Sequence, residues 1–239
     1  MAGHSKWANI KHRKERSDKK KGKIFSRIMK EIISSVKQGG PDPKSNSKLR
    51  TAIQKAKEGN LPNDSIERNI KKASSPDTED YSEMTYELYG YGGVGLVVDI
   101  MTDNRNRISS DIRIATNKCG GTVATPGSVA YNFDRKGVLR VAKSSFEEEK
   151  LFLLASENGA NDFVVEDEVY LIIMPVKDFI QIKEAVETAG GKCEEAELAM
   201  IPKNWVEVSD EEADSNIALI EWLEGLDDVD AVYHNMKIS

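Results

Sequence analysis

The chain has 239 residues, of which 39% are hydrophobic and 31% charged, a composition suited to two or three small domains with a large polar surface. No apolar run approaches the roughly 18 residues of a membrane-spanning helix, and no apolar stretch follows the basic N-terminus as a secretory signal would require. Cys119 and Cys193 stand far apart without a CxxC partner, so neither a disulfide framework nor a zinc site is indicated, and the expected setting is cytoplasmic with no membrane, metal or cofactor.

The formal net charge of −6 conceals two opposed parts. Residues 1–72 hold 20 Lys and Arg against 7 Asp and Glu, a balance of +13, whereas the remainder holds 14 against 33, a balance of −19. Such segregation points to a basic part that meets a polyanion and an acidic part that does not.

In chain order, residues 1–22 read as a basic arm. Between Ala2 and Lys23 lie nine Lys and Arg, namely Lys6, Lys11, Arg13, Lys14, Arg16, Lys19, Lys20, Lys21 and Lys23, against only Glu15 and Asp18. His4 and His12 add partial charge, and no apolar spacing there would build a core. Each Lys or Arg that displaces a condensed counterion on duplex DNA contributes a salt slope of about 0.9. Trp7 offers a π-face worth on the order of 1–3 kcal/mol to an unpaired base, or can dock on the helices that follow; both readings stay open.

From Lys23 the pattern predicts a helical domain over residues 23–76. Ile24, Phe25, Ile28, Met29, Ile32, Ile33 and Val36 recur on one helix face until Gly39-Gly40-Pro41. A second helix runs from about Ser47 to Gly59, and a third follows Pro62 with Asn63 or Asp64 as its expected cap. Arg68, Lys71 and Lys72 face outward, and Ser74–Asp77 reads as a linker.

After Tyr81 the period changes to two. Strands are predicted over 84–89 and 96–101, a helix over 104–118, a strand over 128–133, and a hairpin around Asp134–Gly137 leading into strand 138–142. The order of strand 138–142, helix 146–158, strands 163–166 and 169–174, helix 176–189 and strand 196–201 is the βαββαβ ferredoxin-like unit. Strand 205–208, helix 210–225 and strand 231–235 lack a partner of their own and are expected to complete the sheet begun at 82–133. The predicted architecture is therefore multi-domain α and α+β. A three-helix domain precedes one α+β domain, 77–136 plus 203–239, with a second, 137–202, inserted in it.

Gly90–Gly95 has the letters GxGxxG, but a strand follows where the dinucleotide fingerprint needs a helix, so it is read as a turn between strands. Thr102–Arg107 sits where a strand ends and a helix begins. Arg105 and Arg107 beside the helix amides can hold a phosphate, or Asp103 or Asn104 can cap the helix with the arginines solvated or paired. His4, His12 and His234 form no ligand set. The acidic runs at 147–149, 194–195 and 210–212 read as solvated faces favoured at helix N-termini; a functional alternative is that they repel nucleic acid and turn the arm toward it.

AGHSKWANIKHRK at 2–14, AIQKAKEGNLPNDSIERNIKKA at 52–73, YELYGYGGVGLVVDIMTDNRNR at 86–107, GSVAYNFDRKGVL at 127–139 and VYHNM at 232–236 together resemble the YebC family. The likeness spans nearly the whole chain and is least diagnostic over 146–201. It implies an N-terminal helical domain followed by two α+β domains of related fold, and a non-enzymatic role in gene expression. Members of the YebC/PmpR type are described as DNA-binding transcriptional regulators. Others act in translation, among them a mitochondrial translational activator of cytochrome oxidase and ribosome-associated factors that assist proline-rich stretches. The expectation is a DNA-binding regulator of transcription, with a ribosome-associated translation factor on ribosomal RNA as the alternative. Lys6, Trp7, Lys11, His12, Arg13, Lys14, Arg16, Lys19, Lys20, Lys21, Lys23, Arg105 and Arg107 are the candidate contacts. The acidic domains are left for a ribosome or another protein.

Overall fold

The computed structural model describes residues 17–75 and 80–237. Among the described residues three helices come first: α1 (Ser17–Gly39), α2 (Ser47–Glu58) and α3 (Asn63–Ala73). Their core is Ile28, Ile32, Ile33 and Val36 of α1 against Leu49, Ala52, Ala56, Leu61 and Ile66, the helix-spaced apolar face closing on itself. α1 starts six residues ahead of Lys23, because Lys residues favour a helix intrinsically while apolar periodicity registers only residues that reach a core. Asn46 locks the bundle's first corner: its Oδ1 accepts from the Leu49 amide at 3.0 Å, and its Nδ2 donates to Ser35 O and Gly40 O, both at 2.8 Å. The side-chain cap expected of Asn63 or Asp64 is not made. α3 enters from Pro62, whose carbonyl accepts from the Ser65 and Ile66 amides. Proline's fixed φ supplies the entry angle, and Asp64 lies in the first turn, where its charge suits the helix dipole.

Two antiparallel sheets follow. The first has the order β3 (Thr122–Val123), β1 (Ser82–Tyr89), β2 (Gly95–Thr102) and β9 (Val229–His234), with α4 (Arg105–Cys119) and α7 (Asp210–Gly225) on one face. The second has the order β5 (Asp162–Val165), β6 (Val169–Pro175), β4 (Phe133–Ala142) and β7 (Cys193–Pro202), covered by α5 (Glu148–Glu157) and α6 (Phe179–Thr188). In chain order this second unit is βαββαβ, and its spatial order is that of the ferredoxin-like fold. β8 (Val206–Glu207) and β10 (Met236–Lys237) form a separate parallel pair.

Strand alternation fixes how the sheets stack. In β2, Leu96, Val98 and Ile100 turn toward α4 and α7, while Val97 turns the other way with Ala231 and Tyr233 of β9. In β4, Leu139 and Val141 meet α5 and α6, while Val138 joins Leu171, Ile173 and Ala199 on the opposite face. Val97, Ala231 and Tyr233 pack against that second set, so the two sheets lie face to face with helices outside, four layers in all. Both faces of the central strands are buried, which is why β2 and β6 read as continuous apolar runs rather than alternating ones.

Two local expectations are corrected. No strand runs over 128–133; Ala130–Asn132 is a single 3₁₀ turn, and β4 begins at Phe133. The hairpin at Asp134–Gly137 does not exist, because β4 passes straight through it, pairing with β6 and β7 on both sides. Gly137 is there for close approach: a Cβ would sit 2.6 Å from Phe179 Cδ2 and 2.9 Å from Met174 Cγ. The Gly90–Gly95 stretch is a turn between β1 and β2, with Gly92 at φ +64°. Buried Asn216 of α7 holds it, accepting from the Tyr91 amide at 2.8 Å and donating to the Tyr91 carbonyl at 3.2 Å.

The crossover between the sheets is anchored by Glu87, whose buried carboxylate accepts the amides of Gly127, Val129 and Ala130 at 2.6, 2.7 and 2.7 Å. Burial would raise this carboxyl's pKa, but the three backbone donors outweigh it and hold it below the ordinary value. Glu87→Gln places an amide group among those donors, and should lower unfolding stability by about 1–3 kcal/mol in denaturant titration.

Candidate nucleic-acid interface

Lys6, Trp7, Lys11, His12, Arg13, Lys14 and Arg16 lie outside the described residues, and for Lys19, Lys20 and Lys21 only the helical backbone of α1 is described. Of the remaining candidates, Arg105 stays exposed, whereas Lys23 and Arg107 converge on the join between α1 and the first sheet. There the positive face of the helix meets the acidic turn that links α7 to β9.

Lys23, Arg27, Lys30, Ser34 and Lys37 form one stripe along α1, at the three- and four-residue steps that keep side chains on one helix face. Lys23 Nζ donates to the Glu224 carbonyl and, at 3.1 Å, to the Leu226 carbonyl, so a cation sits on the negative end of α7. Arg27 pairs with Asp230 at 3.5 Å and with Glu31 at 3.4 Å. Lys30 Nζ reaches Met101 O at 3.1 Å, Asp227 O at 2.8 Å and Asp228 Oδ1 at 3.2 Å. Ser34 donates to Tyr81 O, and Lys37 to Ser75 O at 2.7 Å. Burial lowers the Lys23 pKa, with Glu224, Asp230 and Asp227 pulling the other way. Burial likewise raises that of Asp230, against the pull of Arg27 and Lys30.

Asp228 is the centre of this join. Besides Lys30 it accepts from Thr102 Oγ1 at 3.0 Å and from Arg107 through Nη2 at 2.6 Å and Nε at 3.2 Å. Its side chain is 7% exposed. Burial pushes its carboxyl up, yet the hydrogen bonds from Arg107, Thr102 and Lys30 more than cancel that and hold it below its ordinary value. Arg107, which also pairs with Asp103 at 2.6 Å, has its own pKa raised by the hydrogen bonds to both carboxylates.

At the start of α4, Asn104 Oδ1 accepts the amides of Asn106 at 3.1 Å and Arg107 at 3.0 Å. The first-turn donors are thus bonded to a side chain of the chain itself. Arg105 is exposed, with Nε 3.5 Å from Ser82 Oγ, and does not join Arg107 on a common partner. The cleft beside them, of about 300 Å³, is lined by Arg107, Asp111 and Gly225–Asp228. Asp111, Asp227 and Asp228 outnumber its one guanidinium, and that is not a surface that attracts phosphate.

The bundle carries exposed cations of its own outside this stripe. Lys44, Lys48, Arg50, Lys57, Arg68 and Lys71 are all exposed, with Lys48 donating to Gln38 Oε1 at 2.8 Å. The sequence marked Arg68 and Lys71 among these, but not the inward stripe or its acceptor Asp228. Its one available signal was the complementarity of Lys23-Arg27-Lys30 at helix spacing with Asp227-Asp228-Asp230, two segments some 200 residues apart. Asp228→Ala removes four hydrogen bonds and leaves the Lys30 charge, 13% exposed, without its carboxylate, so it should cost about 3 kcal/mol at neutral pH. Because the folded-state pKa lies below the ordinary 3.8, the wild-type advantage is fully present above that value. It fades as pH falls through the folded pKa. Denaturant midpoints of wild type and variant should converge on acidification.

Family models for the TACO1/YebC protein N-terminal domain and the TACO1/YebC second and third domain match residues 5–76 and 81–236. A "Probable transcriptional regulatory protein" of Protochlamydia amoebophila is 66% identical over 238 residues, covering 100% of this chain and 97% of that protein. One of the same description from Chlamydia pneumoniae is 57% identical, covering 99% and 100%. The crystal structure of a conserved hypothetical protein from Aquifex aeolicus superposes with a TM-score of 0.84 at 40% identity over 98% of both chains. Matched along both its helical and its α+β parts, the chain belongs to the TACO1/YebC family.

Proposed function

We propose that this protein is a DNA-binding regulator of transcription, cytoplasmic and without catalytic activity of its own. The observation that carries the reading is the split of charge, +13 over residues 1–72 and −19 over the rest, together with the way the bundle is mounted. The inward stripe of α1 is used up on the Glu224–Asp230 turn. Lys44, Arg50, Lys57, Arg68 and Lys71 remain exposed on the same domain that carries the basic arm. Phosphates are drawn to that side by counterion release, and the acidic sheets repel them, so the duplex approaches from one direction. The description of the relatives as probable transcriptional regulatory proteins supports the same reading.

Deleting residues 2–16 removes the arm while leaving Lys23, which anchors α1, in place. That segment holds five Lys and Arg. Its deletion should weaken duplex binding in fluorescence anisotropy at low salt and reduce the salt slope by up to about 4. Unchanged affinity would refute the role of the arm. Arg68→Glu combined with Lys71→Glu should weaken binding to every duplex sequence alike, as expected of phosphate contacts. Crosslinking in cells, followed by sequencing of the bound nucleic acid, should recover promoter DNA; enrichment of ribosomal RNA instead would replace transcription with translation as the process regulated.

A further inference from the structure

Helix α5 has the sequence EEKLFLLASE, with Leu151, Phe152, Leu153 and Leu154 consecutive. Four consecutive residues span slightly more than one helical turn, so a helix lying on a sheet cannot bury them all. Leu151 and Ala155 are buried against β4 and β6, and Leu154 partly, whereas Phe152 and Leu153 are 50% and 56% exposed. The exposed apolar surface continues across the sheet edge. Phe152 meets Phe163 of β5 edge to face at 5.6 Å, Phe163 stacks on Tyr170 at 5.5 Å, and Val165, paired with Tyr170, is 46% exposed. Contiguous exposed apolar surface of this kind marks an interaction site.

The same surface ends in an open strand. Among the described residues β5 pairs with β6 alone. Glu166 donates its amide to Val169 O. By antiparallel alternation Val164 and Asp162 therefore turn their backbone groups to β6, and those of Val165 turn to the outer edge. Around this edge the charge is predominantly negative, although Lys143 lies over the Tyr170 ring at 5.5 Å and Lys136 donates to Asn161 Oδ1 at 3.4 Å. Residues 147–168 contain eight Asp and Glu and one Lys, Lys150, which is itself paired with Glu147 at 2.6 Å.

We propose that the β5 edge and the adjoining Phe152–Leu153 face form a docking site for a basic, extended segment of another protein, which adds to the sheet as a fifth strand. Backbone pairing at Val165 would supply the ladder and Phe152, Leu153 and Phe163 the pocket for alternate apolar side chains. The carboxylates would select lysines and arginines and exclude nucleic acid. This site is separate from the basic face and stands whether or not the chain binds DNA.

The test uses the full chain and three fluorescein-labelled heptapeptides: alternating Lys–Val, alternating Glu–Val, and Lys–Val with alternate amides N-methylated, which cannot pair with a strand edge. The Lys–Val peptide should bind at least tenfold more tightly than the other two. Its amide shift changes in the protein's NMR spectrum should concentrate in residues 150–168. Val165→Pro leaves the ladder to β6 intact, because the lost N–H faces outward. It and Phe152→Ser/Leu153→Ser should each reduce affinity at least fivefold. Absence of binding, equal binding of the three peptides, or shift changes centred on Asp227–Asp230 would each overturn the proposal. So would a homodimer that Val165→Pro dissolves, since the occupant would then be a second copy of the chain. The wild-type spectrum decides the matter even if a variant fails to fold.

Discussion

The carboxylate of Asp228 holds together parts of the chain that share no hydrophobic core. The bundle closes on its own apolar residues, and the first sheet closes on α4 and α7. What seats one on the other is a polar stripe along α1, with Lys23, Arg27 and Lys30 against the turn after α7, and Asp228 accepting at once from Lys30, Thr102 and Arg107. Buried ion pairs contribute little net stability relative to apolar packing, but they are costly to break singly. They also fix one orientation, because donors and acceptors satisfy each other in one register alone. A surface this polar positions the bundle without gluing it down as a core would.

That orientation carries the electrostatic argument. A basic helix has charge on every side, and its consequence depends on which side is consumed internally. Here the inward cations are neutralised by Asp228, Asp230 and the carbonyls at the end of α7, while Lys48, Arg50 and Lys57 of α2 and Arg68 and Lys71 of α3 stay exposed. At physiological ionic strength charges are screened beyond about 8 Å, so the local excess of cations on the bundle matters more than the net charge of −6. The acidic sheets then need not be inert: in the inserted unit their charge surrounds an apolar edge that suits a cationic partner. On the two proposals together, one chain has a surface for a polyanion and another for a polycation.

The insertion is made possible by the crossover at residues 124–132. A loop joining two stacked sheets has backbone amides with no strand to pair with, and Glu87 takes up three of them. The Asn132–Asn204 pair closes the returning strand beside it: Asn204 donates its amide and Nδ2 to Asn132 Oδ1. Entry and exit of the inserted unit therefore sit together, and the second sheet can stack on the first without either breaking its own ladder.

The sequence by itself determined most of the helices and strands and the βαββαβ order of the inserted unit, because those follow from local periods and turn residues. The apolar steps of Ile28, Ile32 and Val36 make a helix whatever they pack against, and the βαββαβ order limits the ways a sheet can be built. It also located the segregated charge and, through five separated motifs, the family. It misread Asp134–Gly137 as a turn, since Gly137 is required by Phe179 and Met174, which lie more than thirty residues away along the chain. The choice at Thr102–Arg107 between a phosphate cradle and a cap could not be made from spacing either. It depends on where the partner of Arg107 lies, and that partner, Asp228, is brought in from 121 residues further on. Local sequence sets what each residue can do; only the tertiary structure decides which charges meet one another and which are left for a ligand, because Coulomb attraction depends on distance in space and not along the chain.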